Sequence, residues 1–81
     1  NKSISIFPNP ATDVLNCRID VGGCTKIEIE NLLGEKVFLM QPGVYSERKI
    51  IPIDIHNYSN GIYFIRFVFE NGMVTKMVVK E

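Results

Sequence analysis

The feature that most constrains this chain is a pair of apolar segments, residues 61–70 and 73–80, joined by Asn71-Gly72. Asn-Gly suits a two-residue turn, so the segments are predicted to form an antiparallel hairpin. Both faces of the first segment are largely apolar, which is typical of a strand that is central in a sheet or partly covered. The second segment keeps its strand pattern to Glu81, although chain ends usually fray. This segment is therefore either a core strand or one that a partner recognises.

Shorter runs with the period of a β-strand precede the hairpin, and no stretch has the apolar spacing of a capped helix. They lie at residues 4–6, 14–20, 25–31, 36–40 and 47–55. Pro8-Asn9-Pro10 predicts a rigid turn, Gly22-Gly23 a tight hairpin, and Gly34 a turn with positive φ. Gln41-Pro42-Gly43 should end another strand. About seven strands with frequent turns predict a small two-sheet antiparallel sandwich, with a small open barrel as the alternative.

Composition limits the classes of function. The 81 residues fit one domain, and 9 basic residues balance 9 acidic ones, which argues against a nucleic-acid-binding surface. No apolar run approaches the roughly 20 residues of a membrane span, and no signal peptide begins the sequence. Because the chain starts at Asn1 rather than Met, we expect residues 1–81 to be a single domain excised from a longer protein.

Two cysteines, Cys17 and Cys24, do not by themselves indicate a redox compartment. The two could form a disulfide if a hairpin brings them together. If residues 14–20 and 25–31 pair as strands, however, Cys17 lies opposite about Glu28 and Cys24 sits in the turn, a separation that disfavours a disulfide. Free thiols are favoured over a disulfide. Metal binding by two cysteines and one distant histidine is disfavoured, because zinc sites use four ligands at short paired spacings.

Candidates for catalysis are sparse. His56 follows Asp54 by two residues, and Ser59 could complete a triad, but neither a nucleophile turn nor an oxyanion hole is apparent. A solvated loop histidine is the favoured interpretation. Asn9 and Asp13 could contribute to a calcium site, but no dense acidic loop accompanies them. We therefore expect no catalytic residues, no cofactor and no metal, and no enzymatic activity.

The aromatic residues are predicted to build the core rather than to stack on a ligand. An alternative is that Phe64 and Val68 are exposed and form a patch for a partner. The predicted core aromatics are Phe7, Phe38, Tyr63, Phe64, Phe67 and Phe69.

Four segments together resemble the C-terminal sorting domains of the type IX secretion system of Bacteroidota. The first is Pro8-Asn9-Pro10-Ala11-Thr12-Asp13, and the second is Asn31-Leu32-Leu33-Gly34-Glu35-Lys36-Val37. The third is Tyr58-Ser59-Asn60-Gly61-Ile62-Tyr63, where the family usually has leucine at the first position. The last is the basic strand Thr75-Lys76-Met77-Val78-Val79-Lys80.

The resemblance implies an immunoglobulin-like β-sandwich without catalytic activity that directs its parent protein across the outer membrane. The implied partners are the outer-membrane type IX translocon, its shuttle components and a cell-surface sortase that removes the domain and attaches the cargo. The implied destination, by way of the periplasm, is the cell surface or the extracellular space. The alternative is an immunoglobulin-like or fibronectin-like accessory module that binds carbohydrate or packs beside a catalytic domain.

The motif residues divide into two predicted roles. Pro8, Asn9, Pro10, Gly34, Gly61 and Tyr63 are expected to build the fold, with Tyr63 placing its hydroxyl against loop backbone as a tyrosine corner does. The terminal residues Lys76, Val78, Val79, Lys80 and Glu81 are expected to be read by the translocon, by strand addition at an exposed edge. The lysines and Glu81 are expected to be exposed, and the rival role for the lysines is protection of that edge from aggregation.

Overall fold

A computed structural model describes residues 3–41 and 49–81, and these residues form seven β-strands. The strands are β1 Ile4–Phe7, β2 Val14–Ile19, β3 Cys24–Asn31, β4 Lys36–Met40, β5 Lys49–Asp54, β6 Gly61–Phe69 and β7 Gly72–Lys80. The prediction of an all-β chain of about seven strands is confirmed. The predicted break at Pro42-Gly43 and the start of the strand predicted at 47–55 lie outside the described residues.

The strands form two antiparallel sheets, one in the order β1-β2-β5 and the other in the order β4-β3-β6-β7. The two sheets bury one shared cluster of side chains between them, so the arrangement is the predicted sandwich rather than a barrel. Strand β6 lies between β3 and β7, which explains why neither of its faces is fully polar.

The core follows from period-2 alternation, which sends every second side chain of a strand to the same face. Tyr63, Ile65 and Phe67 of β6 point inward, as predicted, and Phe67 is fully buried. Phe38 and Phe69 are partly buried against the same cluster, and Phe64 is half-buried on the other face. Phe7 is 41% exposed at the end of β1, and Phe64 lies outside the core cluster, so the assignment of these two residues to the core is wrong.

The predicted hairpin at Gly22-Gly23 is also wrong. Strand β2 pairs with β1 and β5 in one sheet, whereas β3 pairs with β4 and β6 in the other. The two glycines therefore carry the chain from one sheet to the other, with a φ of +89° at Gly23. The apolar faces of β2 and β3 meet across the core, and each strand finds its hydrogen-bond partners elsewhere.

Because β2 and β3 lie in different sheets, both cysteines lie elsewhere than predicted. Cys17 lies between Ile6 and Ile51 rather than opposite Glu28, and Cys24 begins β3 rather than lying in a turn. Both are buried free thiols, as predicted. Burial, with a smaller contribution from Cys24, raises the pKa of the Cys17 thiol to about 12, so this group stays protonated and unreactive at neutral pH.

A cluster of charges covers the outer face of the four-stranded sheet. Glu28 is held by Lys36 at 2.7 Å and Lys26 at 3.5 Å, and only 7% of its side chain is exposed. Arg66, on the neighbouring strand, lies 3.1 Å from Glu30 and 3.7 Å from Glu28. Hydrogen bonds from Lys36 to Glu28 and from Arg66 to Glu30 lower the pKa values of both carboxyl groups.

Stability is expected to fall in acid because these two carboxylates favour the folded state only while ionised. Their folded pKa values lie below the ordinary value of 4.5, so the stabilisation is complete above that pH and is lost as pH falls through the lowered values. Thermal melts between pH 7 and pH 2 should show this decline. Glu28→Gln should flatten it, whereas Glu70→Gln, at an exposed position, should not. Equal profiles for wild type and Glu28→Gln would contradict the assignment.

Candidate functional site

All four motif segments meet at one end of the sandwich. Asn31 pairs with Tyr63, which pairs in turn with Val78, and Gly61 pairs with Lys80. Ala11 forms a parallel bridge to Lys80 and so brings in the first motif. We call this region, residues 8–11, 31–34, 58–63 and 78–81, the motif end. The turns at Gly22-Gly23 and Asn71-Gly72 lie at the opposite end, because β6 runs from Gly61 to Phe69.

Tyr63 anchors the motif end from within. Its ring is 7% exposed and its hydroxyl donates to the backbone carbonyl of Ser59 at 2.7 Å. Tyr58 stacks at a tilt on the same ring, with centroids 5.3 Å apart. The geometry is that of the predicted tyrosine corner, in which a tyrosine near the start of a strand holds the loop before it.

Glycine at position 61 is explained by its backbone conformation rather than by crowding. Gly61 has a φ of +146°, and a Cβ built there would contact nothing within 4 Å. The positive φ is the reason that a residue without a Cβ suits this position. Gly61 thereby sets the entry of the chain into β6, two residues before Tyr63.

Asn9 binds the edge of β7 that faces away from β6. Its side chain makes the hydrogen bonds that a neighbouring strand would otherwise make there. Its side-chain Nδ2 donates to the carbonyl of Met77 at 3.0 Å, and its Oδ1 accepts from the N–H of Val79 at 3.0 Å. Ala11 continues the contact, since its N–H donates to Val79 O and its carbonyl accepts from the N–H of Glu81, both at 2.8 Å. We call residues 9–11 the latch. The sequence indicated only a turn here, because the contacts join residues about seventy positions apart.

The residues predicted to be read by the translocon differ in exposure. Val78 is 2% exposed and packs in the core. Lys80 is 6% exposed, and its Nζ donates to the carbonyl of Glu81, so the expectation of an exposed lysine is wrong at this position. Lys76 and Val79 are half-buried, and Glu81 is exposed. Burial of Lys80 follows from the β7 register, which turns this side chain to the same face as Val78 and against Ala11.

Two exposed leucines belong to the motif end. Leu32 and Leu33, at the β3–β4 turn, are 65% and 84% exposed. Asn31 shapes this turn, because its Oδ1 accepts from the N–H groups of Leu33 and Glu35 at 2.9 and 3.0 Å. The turn lines a shallow cleft together with residues 59–63. Both leucines belong to the second motif segment, but the sequence did not indicate that they lie at a surface.

The catalytic candidates form a local pair. His56 Nδ1 lies 2.7 Å from Asp54 Oδ1, and hydrogen bonding from His56 lowers the pKa of the Asp54 carboxyl. Both side chains are more than half exposed. Ser59 contributes its backbone carbonyl to Tyr63. The Asn9 side chain is engaged by β7 at both polar atoms. Within residues 3–41 and 49–81, no three acidic, cysteine or histidine side chains gather as metal ligands would.

Comparison with known proteins identifies the family of this chain. No helix in the described ranges is long and apolar enough to cross a membrane. No curated protein matches the chain. A family model described as "Secretion system C-terminal sorting domain" matches residues 5–81, and this range includes every segment of the motif end. The chain thus belongs to the C-terminal sorting domain family of the type IX secretion system, a family of Bacteroidota whose domains are non-catalytic and imply export to the cell surface or beyond.

Proposed function

We propose that residues 1–81 are the sorting domain of a longer secreted protein, which they direct through the outer-membrane type IX translocon. The observation that carries this proposal is the family match over residues 5–81. The domain makes no catalytic contribution and needs no cofactor. Shuttle components receive it on the way, and a cell-surface sortase later removes it and attaches the cargo.

The motif end, together with the neighbouring Lys76, is the surface that the machinery contacts. Of the terminal residues, Glu81 is exposed and Lys76 and Val79 are half-buried, so these three contact the partner directly. Val78 and Lys80 act by holding β7 in place, since both are buried. Strand addition at the outer edge of residues 77–81 requires the latch to open, because residues 9 and 11 already occupy the backbone groups there.

Leu32 and Leu33 extend this surface. Exposed leucines add nothing to the core, and their turn is already shaped by Asn31, so little conformational entropy is lost when a partner covers them. Apolar side chains on a preformed turn are typical anchors of a protein interface.

Export of a fused reporter tests the proposal. Residues 1–81 are joined to the C-terminus of a reporter that carries a Sec leader, in a host with a type IX system, and reporter is measured in periplasm and medium. We expect the reporter outside the cell. A reporter that remains in the periplasm would contradict the sorting function and favour the accessory module.

A double variant tests the surface separately. Leu32→Ser/Leu33→Ser should reduce export roughly tenfold, the effect of losing about 1.4 kcal/mol of binding. Met73→Ser is the matched control, because Met73 is 61% exposed but lies at the opposite end of the sandwich. Both purified variants should melt at the wild-type temperature. Equal export of the two variants would remove the leucines from the contact surface while leaving the sorting function intact.

A further inference from the structure

Two of the three methionines lie on the outer face of the hairpin formed by β6 and β7. Period-2 alternation along β7 turns Val78 into the core and sends Met73 and Met77 to the opposite face. Their side chains are 61% and 53% exposed, whereas Met40 of β4 is half-buried against the core cluster. Solvent therefore has ready access to two of the three thioethers, and the third is packed against other side chains.

The sulfur atoms of the chain differ in what controls their reaction with peroxides. A thioether reacts without prior ionisation, so access of the oxidant to the sulfur sets its rate. A thiol must first lose its proton, because the thiolate is the nucleophile. Cys17 and Cys24 are buried, and burial raises the pKa of each thiol, to about 12 for Cys17. Packing and protonation thus protect both thiols at neutral pH, and oxidation falls to the exposed thioethers.

We infer that Met73 and Met77 form an oxidation site, which accepts oxygen from hydroperoxides while the fold stays intact. The thioether sulfur attacks one oxygen of the peroxide, so that a sulfur–oxygen bond forms as the oxygen–oxygen bond breaks. Sulfur loses two electrons and becomes a sulfoxide, and the peroxide is reduced. With hydrogen peroxide, the departing hydroxide takes up the proton of the transferred oxygen and leaves as water.

Oxidation changes the polarity of the outer face of the hairpin. Met77 lies opposite Phe64 and Met73 lies opposite Val68, and the Cβ atoms of such opposite residues are about 5 Å apart. A sulfoxide at either methionine therefore places a polar group beside an apolar side chain on this face. Neither methionine belongs to the core cluster, so the change costs the fold little.

Treatment of residues 1–81 with hydrogen peroxide, followed by trypsin digestion and mass spectrometry, tests the site. The three methionines fall in separate tryptic peptides, residues 37–48 with Met40, residues 67–76 with Met73 and residues 77–80 with Met77. In the folded chain, Met73 and Met77 should each gain one oxygen at least about tenfold faster than Met40, and the cysteines should stay reduced. In concentrated urea the three methionines should oxidise at equal rates, because unfolding exposes them all.

The double variant Met73→Leu/Met77→Leu is the matched control, because leucine has a similar volume and takes up no oxygen. Peroxide should shorten the retention of the wild-type chain on a hydrophobic-interaction column and leave the retention of the variant unchanged. The oxidised wild-type chain should still melt cooperatively, within a few degrees of the untreated chain.

Oxidation of Met40 as fast as that of Met73 and Met77 in the folded chain would overturn the inference. Consumption of the thiols before the methionines, or loss of the cooperative transition once both methionines are oxidised, would also overturn it. So would an unchanged retention of the oxidised wild-type chain. None of these outcomes bears on export, so the oxidation site and the sorting function are tested separately.

Discussion

Deletion of Lys76–Glu81 is expected to unfold the domain, so the chain end cannot be removed as a separable recognition segment. Residues 76–80 pair with residues 61–65 of β6, which would become the edge of the sheet. Val78, which is 2% exposed, would be lost from the core, and Tyr63 would lose the residue with which it pairs on β7. Asn9 and Ala11 would also lose the partners that hold the first motif in place.

The magnitudes support complete unfolding. Burial of a valine contributes roughly 1.5–3 kcal/mol, and each lost hydrogen bond about 0.5–1.5 kcal/mol. Several such losses together reach the 5–15 kcal/mol that stabilises a typical domain, and a small domain lies near the lower limit. Circular dichroism of residues 1–75 should therefore show no cooperative melting transition.

Glu81→Ala is the matched control for the deletion. It removes an exposed side chain but keeps the backbone N–H that donates to Ala11, so its melting temperature should equal that of wild type. A cooperative transition of residues 1–75 within a few degrees of wild type would contradict the prediction. Loss of export on deletion would report loss of folding, which is why point variants are used to test recognition.

The hairpin of β6 and β7 could be predicted because its determinants are local. Asn71-Gly72 lies between two alternating segments, and a turn of this kind sets the pairing of the strands it joins. Gly22-Gly23 lies in an equivalent context but connects two sheets. Alternation shows that Leu15 and Ile27 both face the core. It does not show whether their strands are neighbours in one sheet or face each other from two sheets. That choice depends on which distant strands complete each sheet.

The latch shows that contacts between distant residues also could not be predicted from the sequence. Asn9 between two prolines indicates a turn, and nothing nearby shows that its side chain binds β7. Lys80 was expected to be exposed because a lysine adds nothing obvious to a core, but the β7 register places it opposite Gly61 and on the same face as Val78, where it is buried. Both errors concern contacts between the two ends of the chain. The same contacts hold the first motif against the last, and the pairing of β3, β6 and β7 places the other two at the same end of the sandwich.

Tyr63→Ala is expected to destabilise the domain by roughly 3–5 kcal/mol, because it removes a buried aromatic ring and leaves a cavity. The ring is 7% exposed and lies on β6, an interior strand of its sheet, between Asn31 and Val78. Urea unfolding followed by circular dichroism measures the loss. Tyr63→Phe retains the ring and removes only the 2.7 Å hydrogen bond to Ser59, so it should cost about 0.5–1.5 kcal/mol.

Tyr58→Phe controls for loss of a tyrosine hydroxyl in the same ring pair. Tyr58 is half-buried, and its hydroxyl makes no hydrogen bond recorded within the described residues, so this variant should be close to neutral. The expected order of stability is wild type and Tyr58→Phe, then Tyr63→Phe, then Tyr63→Ala. If Tyr63→Phe costs as much as Tyr63→Ala, the hydroxyl rather than the ring holds the corner. If Tyr63→Ala is neutral, the ring does not belong to the core, and position 63 becomes a candidate contact with the export machinery.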